Sequence, residues 1–236
     1  MKKFDSKFLE AYFICGTQDL QQNQTLPGLL EQALEAGITA YQFREKGINS
    51  ISDKSARLTM AQELHHLCQK YNVPFIIDDD VQLAKSVHAE GIHVGQDDEN
   101  ISQVIKEAKN TMFVGYSCST LAEIETANQI EGIDYYGSGP VFATQSKDDA
   151  DPVIGLAGLN KLVKHSSRPI VAIGGIEEKD LPAIAQTNAA GASVISMITQ
   201  SNDIKQTVTE MLQAPWQTLN KVYKLLTHIL CSTLIA

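Results

Sequence analysis

Two rhythms of apolar and polar residues alternate along the chain. Short apolar, β-branched or aromatic runs recur as AYFIC from residue 11, ITAYQF from 38, VPFII from 73, GIHVG from 91, TMFVG from 111, IDYYG from 133, RPIVAIGG from 168 and GASVIS from 191. Each has the length and composition of a buried strand. Most gaps between them carry apolar residues three and four apart, as in LPGLLEQALEAG from 26 and SDKSARLTMAQELHHLCQKY from 52, and these predict helices. Eight strands alternating with helices in 236 residues predict parallel βα units closed into an α/β (β/α)8 TIM barrel, a single domain. An open doubly wound sheet is disfavoured, and no GxGxxG follows the first strand to signal a dinucleotide site. The expected barrel spans residues 1–213, with 214–236 as a C-terminal tail after Pro215 breaks the last helix. The tail has an apolar face at Val222, Leu225, Leu226, Ile229 and Leu230. Packing on the barrel, a subunit interface and an unpacked tail all stay open for it.

Composition narrows the class of partner. A formal net charge of −9 with no basic cluster argues against nucleic acid, which needs concentrated Lys and Arg. Small-molecule chemistry is expected instead. Cys15, Cys68, Cys118 and Cys231 lack metal or disulfide spacing and read as reduced core filler. MKKFDSKFLE has no apolar signal core, and no stretch reaches the roughly 20 apolar residues needed to span a bilayer. The cytoplasm is the expected compartment, and a homo-oligomer stays open.

In a (β/α)8 barrel, catalytic groups sit at the C-terminal ends of the strands. The strand from Phe75 ends in Asp78, Asp79 and Asp80, and the next, Ile92 to Val94, runs into GQDD. Parallel neighbours lie roughly 5 Å apart, so Asp79 and Asp98 are placed to share one hard cation, for which Mg²⁺ is the natural choice. Asp80, ahead of VQLAKSVH, reads as a helix cap. After the second strand, alternation puts Gln42, Arg44 and Lys46 on one side, facing the mouth, with Tyr41, Phe43 and Glu45 on the other. An amide with two cations suits a ligand carrying a polyanion. Ser117 is a further donor, and Ser119 reads as a cap. The long segment 137–155 offers Thr144, Ser146 and Lys147 for closure over phosphate. Gly174 and Gly175 after the seventh strand and Ser196 after the eighth fit the phosphate position of such barrels. The six histidines show no metal spacing: His65 and His66 read as surface residues, His93 as packed, and none as catalytic.

Diphosphate-binding cations, a metal pair and a separate monophosphate cradle in one mouth suggest group transfer with pyrophosphate as leaving group. The ordered motifs QFREKG, DDDVQLA with EGIHVGQDD, GYS, GSGPVFATQSKDD, VAIGGI and ASVISMI resemble the thiamine phosphate synthase (thiamine-phosphate pyrophosphorylase) family from about Phe8 to Gln213. The resemblance implies a transferase joining 4-amino-2-methyl-5-hydroxymethylpyrimidine diphosphate to 4-methyl-5-(2-phosphoethyl)thiazole, with Mg²⁺ as cofactor and loss of diphosphate before bond formation. It implies that Gln42, Arg44 and Lys46 hold the pyrimidine diphosphate and that Asp79 and Asp98 hold the metal. Ser117 and Lys147 would contact the diphosphate, and Thr144, Ser146, Gly175, Ile195 and Ser196 would cradle the thiazole phosphate. Two positions depart from the family: Asp78, at a substrate-binding position, stands where Asn is usual, and Ser119 where His is common. The rival readings are the related thiazole tautomerase, which does not need the diphosphate apparatus, and a non-catalytic thiamine phosphate sensor.

Overall fold

A computed structural model describes residues 3–109, 111–144 and 152–216. Among them, eight parallel strands close into a barrel in sequence order. They are β1 (Ala11–Cys15), β2 (Ala40–Phe43), β3 (Phe75–Asp78), β4 (Gly91–Val94), β5 (Phe113–Ser117), β6 (Tyr135–Ser138), β7 (Ile170–Ile173) and β8 (Gly191–Val194). The helices are α1 (Leu26–Ala36), α2 (Lys54–Lys70), α3 (Val81–Val87), α4 (Ile101–Ala108), α5 (Leu121–Ala127), α6 (Gly155–His165), α7 (Leu181–Gln186), α8 (Ser196–Thr199) and α9 (Ile204–Gln213). The expected (β/α)8 TIM barrel is therefore the observed fold. Among the described residues no helix is long and apolar enough to cross a membrane.

The strands read as unbroken apolar runs because both of their faces are covered. Phe13, Tyr41, Phe43 and Phe75 point outward into the layer beneath the helices. Tyr12, Ile14, Ile76, Tyr135 and Val171 point into the barrel. Each fully buried large side chain contributes about 2–3 kcal/mol of transfer free energy. Local signals set the helix ends. Thr25 caps α1 and Gly37, at φ 99°, stops it; Asp53 caps α2. Asp80 caps α3 as expected, its carboxylate accepting from the Leu83 N–H at 2.8 Å. At α5 the cap is Thr120 rather than Ser119, because Thr120 sits three residues before Glu123 and closes a reciprocal capping box with it.

At the N-terminal ends of the strands, the short turn Ser6–Leu9 closes the floor. Phe4 lies parallel to the Tyr135 ring, with centroids 5.7 Å apart. Phe4 and Phe8 also meet Phe113 at 5.5 and 6.0 Å. The floor corrects one sequence expectation: His65 is buried, stacked on Phe75 and 3.2 Å from the Glu90 carboxylate. The other Glu90 oxygen accepts from the Phe75 N–H at 2.9 Å. The helical pattern alone did not show that a strand and a carboxylate lay over that face of α2. Residues 217–236, including Cys231 and the apolar face expected from Val222 onward, lie outside the described residues.

Candidate active site

At the opposite end, a cavity of about 400 Å³ opens among the strand termini. Gln42, Arg44, Lys46, Asp78, Asp79 and Asp98 line one side; Thr144, Gly174, Gly175, Ile195 and Ser196 line the other. Ser117 and Ser119 stand between them. Of the site residues expected from sequence, Ser146 and Lys147 lie outside the described residues. The rest converge on this cavity.

Alternation along β2 delivers Gln42 and Arg44 inward, as expected, while the neighbouring Glu45 does structural work that the sequence reading did not assign. The Glu45 carboxylate accepts from the Thr17 hydroxyl, from the Thr17 N–H at 3.0 Å and from the Ile51 N–H at 2.6 Å. Gln18 donates to the Arg44 carbonyl at 2.7 Å. The loop after β1 thus grips the segment that carries the two cations at the Arg44 carbonyl and at Glu45.

Charges are crowded at the ends of β3 and β4. Lys46 Nζ lies 2.8 Å from Asp79 Oδ2 and 3.1 Å from Asp98 Oδ1, so one ammonium bridges both acids. Asp98 also accepts from the Gly95 N–H at 2.8 Å. Asp79 sits in the left-handed region at φ 61°, and its N–H donates to the His93 carbonyl at 2.9 Å. Burial, then the Asp78 charge and then Asp98 push the Asp79 carboxyl up to about 7. At Asp98 burial pushes upward too, but hydrogen bonds from Asp79, Gly95 and Lys46 reverse it and hold the group below the usual carboxylate range. Of the pair, Asp79 is the acid whose charge is disfavoured and Asp98 the one whose charge is supported. Lys46 is held above the ordinary lysine value: burial opposes its charge, and the two carboxylates outweigh that.

Two carboxylates already bridged by an ammonium, one of them raised by burial and by neighbouring negative charge, form a hard-oxygen set suited to a cation. Among the described residues no group of three or more His, Cys, Asp or Glu could enclose a metal. A pair of carboxylates fits an ion such as Mg²⁺, which keeps several waters and takes oxygens from its substrate. Asp78 has a different neighbour. Its Oδ2 lies 3.5 Å from Arg44 Nε, and both side chains are nearly buried.

Across the cavity, Gly174 and Gly175 have φ of 96° and 64°, and a Cβ on Gly175 would overlap the Ala143 carbonyl and Phe142. Ile195 precedes and Ser196 begins the short helix α8. Two left-handed glycines facing a helix start are an arrangement whose backbone N–H groups suit an anion.

Beneath the cavity runs a polar chain that the sequence reading missed. Gln42 Nε2 donates to Tyr12 Oη at 2.8 Å, and Tyr12 Oη meets Tyr135 Oη at 3.0 Å. Tyr135 Oη is 3.0 Å from His93 Nδ1, and His93 Nε2 is 3.0 Å from Ser117 Oγ. The period-two register of AYFIC, GIHVG and IDYYG, phased on Gln42, was the signal available: it points Tyr12, His93 and Tyr135 to the inner face.

Residues 11–198 match the family model described as thiamine monophosphate synthase. The chain is 56% identical over 212 residues to the thiamine-phosphate synthase of Lactiplantibacillus plantarum, covering 90% of this chain and 97% of the relative. It is 48% identical over 204 residues to that of Listeria monocytogenes serotype 4a, covering 86% and 95%. The solved thiamine phosphate pyrophosphorylase from Pyrococcus furiosus superposes with a TM-score of 0.76 at 30% identity, covering 87% of this chain and 95% of that one.

Proposed function

The chain belongs to the thiamine monophosphate synthase family, and from that premise we propose how its barrel mouth carries out the family's reaction. The enzyme is a transferase that joins 4-amino-2-methyl-5-hydroxymethylpyrimidine diphosphate to 4-methyl-5-(2-phosphoethyl)thiazole and releases pyrophosphate. The observation that carries the assignment of sides is the separation, across one cavity, of a charged wall holding Arg44 and Lys46 from a glycine-and-helix wall holding Gly175 and Ser196.

On the charged wall, Arg44, Lys46 and Ser117 bind the diphosphate, joined by Lys147, and Gln42 takes the pyrimidine. Asp79 and Asp98 would hold Mg²⁺, which when bound supplies positive charge to the leaving oxygens. Lys46, which bridges the same two carboxylates, would then stand beside the cation as a second positive charge for the phosphates. Arg44 keeps Asp78 neutralised, so an acid can occupy the position where the family usually has Asn without confronting the diphosphate alone. Thr144, Ser146, Gly175, Ile195 and Ser196 hold the phosphate of the thiazole at the other wall.

The pyrimidine C–O bond breaks first, its electron pair leaving with diphosphate; the resulting cation then accepts the thiazole nitrogen lone pair to form the C–N bond. No net proton transfer is required, so charge stabilisation rather than a general base sets the rate. We assign the reaction to the cytoplasm, with residues 1–213 as the catalytic barrel. The test is to supply both phosphorylated substrates with Mg²⁺ and measure thiamine phosphate and pyrophosphate together. Equal amounts of both are expected, and turnover separates an enzyme from a thiamine phosphate sensor. Product formation indifferent to chelation of the metal would sink the metal assignment.

A further inference from the structure

The polar chain beneath the cavity has a definite polarity. Gln42 Nε2 can only donate, so Tyr12 Oη accepts there. Among the described residues the other hydrogen-bond partner of Tyr12 Oη is Tyr135. Tyr12 and Tyr135 are fully buried, and burial holds both phenols protonated. A buried hydroxyl proton without an acceptor is costly, so Tyr12 donates to Tyr135 and Tyr135 in turn donates to His93 Nδ1. An accepting Nδ1 fixes the neutral imidazole with its proton on Nε2, which then donates to Ser117 Oγ at 3.0 Å. Ser117, having accepted, is left with its own O–H to donate into the cavity.

The barrel is built around this path. Gly115 lies on the inner face beside it, and a Cβ there would overlap the Tyr135 ring and His93 Nδ1. A Cβ on Gly137 would come within 3.1 Å of His93 Cε1. From below, Phe4 stacks on the Tyr135 ring and holds its hydroxyl at the level of His93.

We propose that Tyr12, Tyr135 and His93 form a one-way hydrogen-bond chain that sets His93 as a positioning residue and Ser117 as an obligate donor to the diphosphate. This rests on the reading of the charged wall given above. It adds that the pyrimidine-side amide and the diphosphate-side hydroxyl are linked. Turning over the Gln42 amide would reverse every bond, place the proton on Nδ1 and direct the Ser117 proton inward.

Two measurements test the chain. In the wild-type protein, ¹⁵N spectra of labelled histidine, with the His93 signal identified by its loss in His93→Gln, should show a protonated Nε2 and an unprotonated Nδ1. The opposite tautomer overturns the proposal. In steady-state kinetics, Tyr135→Phe should lower kcat about tenfold, the scale of one hydrogen bond, with KM for the thiazole phosphate unchanged. In a Ser117→Ala background the same substitution should cost nothing further. An equal loss in both backgrounds would show that Tyr135 acts only through packing, and overturns the chain as well. A wild-type protein that forms no thiamine phosphate would refute the proposed function; the histidine spectrum would still decide the polarity.

Discussion

The two ends of the same eight strands solve opposite problems. At the floor, titratable groups are matched: the Glu90 carboxylate takes one bond from His65 and one from the Phe75 N–H, and aromatic rings cover what remains. At the mouth, three acids and two cations are packed so that burial and neighbouring acids push one carboxyl, Asp79, well above the usual carboxylate range. A fold optimised for stability alone would not leave like charges so close. The contrast shows that the barrel places its densest crowding of like charges at the end where ligands can relieve it. The floor is where stability is secured.

The sharpest way to break this contrast is a charge deletion at the mouth. Asp79→Asn or Asp98→Asn should reduce kcat by about 10²–10³-fold, the loss typical of removing one preorganised electrostatic contact. Thermal unfolding should stay within a few degrees of wild type; a large fall in stability would mean that these acids are structural. At the floor the order reverses. Phe113→Ala empties an aromatic site and should cost about 3–5 kcal/mol by chemical denaturation, while the folded fraction keeps its KM for both substrates. A changed KM would show that the two ends are coupled.

A pH series on Glu90→Gln resolves the floor more finely. Burial opposes the Glu90 charge, but the His65 and Phe75 N–H bonds outweigh it and hold the group below its ordinary value. A depressed folded-state carboxyl contributes stability above the unfolded value of about 4.3 and loses it as the pH falls through the folded value. The wild-type advantage over the variant should be full at neutral pH, of the order of 1–2 kcal/mol, and should vanish in acid. An advantage that persists in acid would refer it to packing. The smallest effect is expected from Asp78→Asn at the mouth. Removing one negative charge beside Arg44 should tighten binding of the pyrimidine diphosphate a few-fold, read as KM, because the guanidinium then faces the diphosphate without a competing carboxylate.

Much of the barrel was legible in the sequence because parallel strands covered on both faces must be continuous apolar runs, and eight were present. The mouth was legible where charge interrupts those runs, as at Asp79, Arg44 and Lys46. What the runs conceal is the chemistry of an inward-facing aromatic. Tyr12 in AYFIC and Tyr135 in IDYYG read as core, and they are core, yet each phenol oxygen joins a chain ending at Ser117. A buried polar tip becomes visible only when its partner, here 123 residues away, is brought beside it. The same applies to His65, whose partner Glu90 lies 25 residues on, and to Ser119, where the Thr120–Glu123 spacing was the better capping signal.

The left-handed turn at Asp79 has a consequence for heredity. At φ 61° the residues that fit with least strain are Gly and Asn, with Asp close behind. In the genetic code both are one base change from either Asp codon. The Asp79 carboxylate is therefore one mutational step from two replacements that remove its charge and leave the turn undisturbed. On the metal role proposed for Asp79, a lineage supplied with thiamine from outside has a short path to a folded, silent barrel, and sequences along that path would keep every strand while losing the acid.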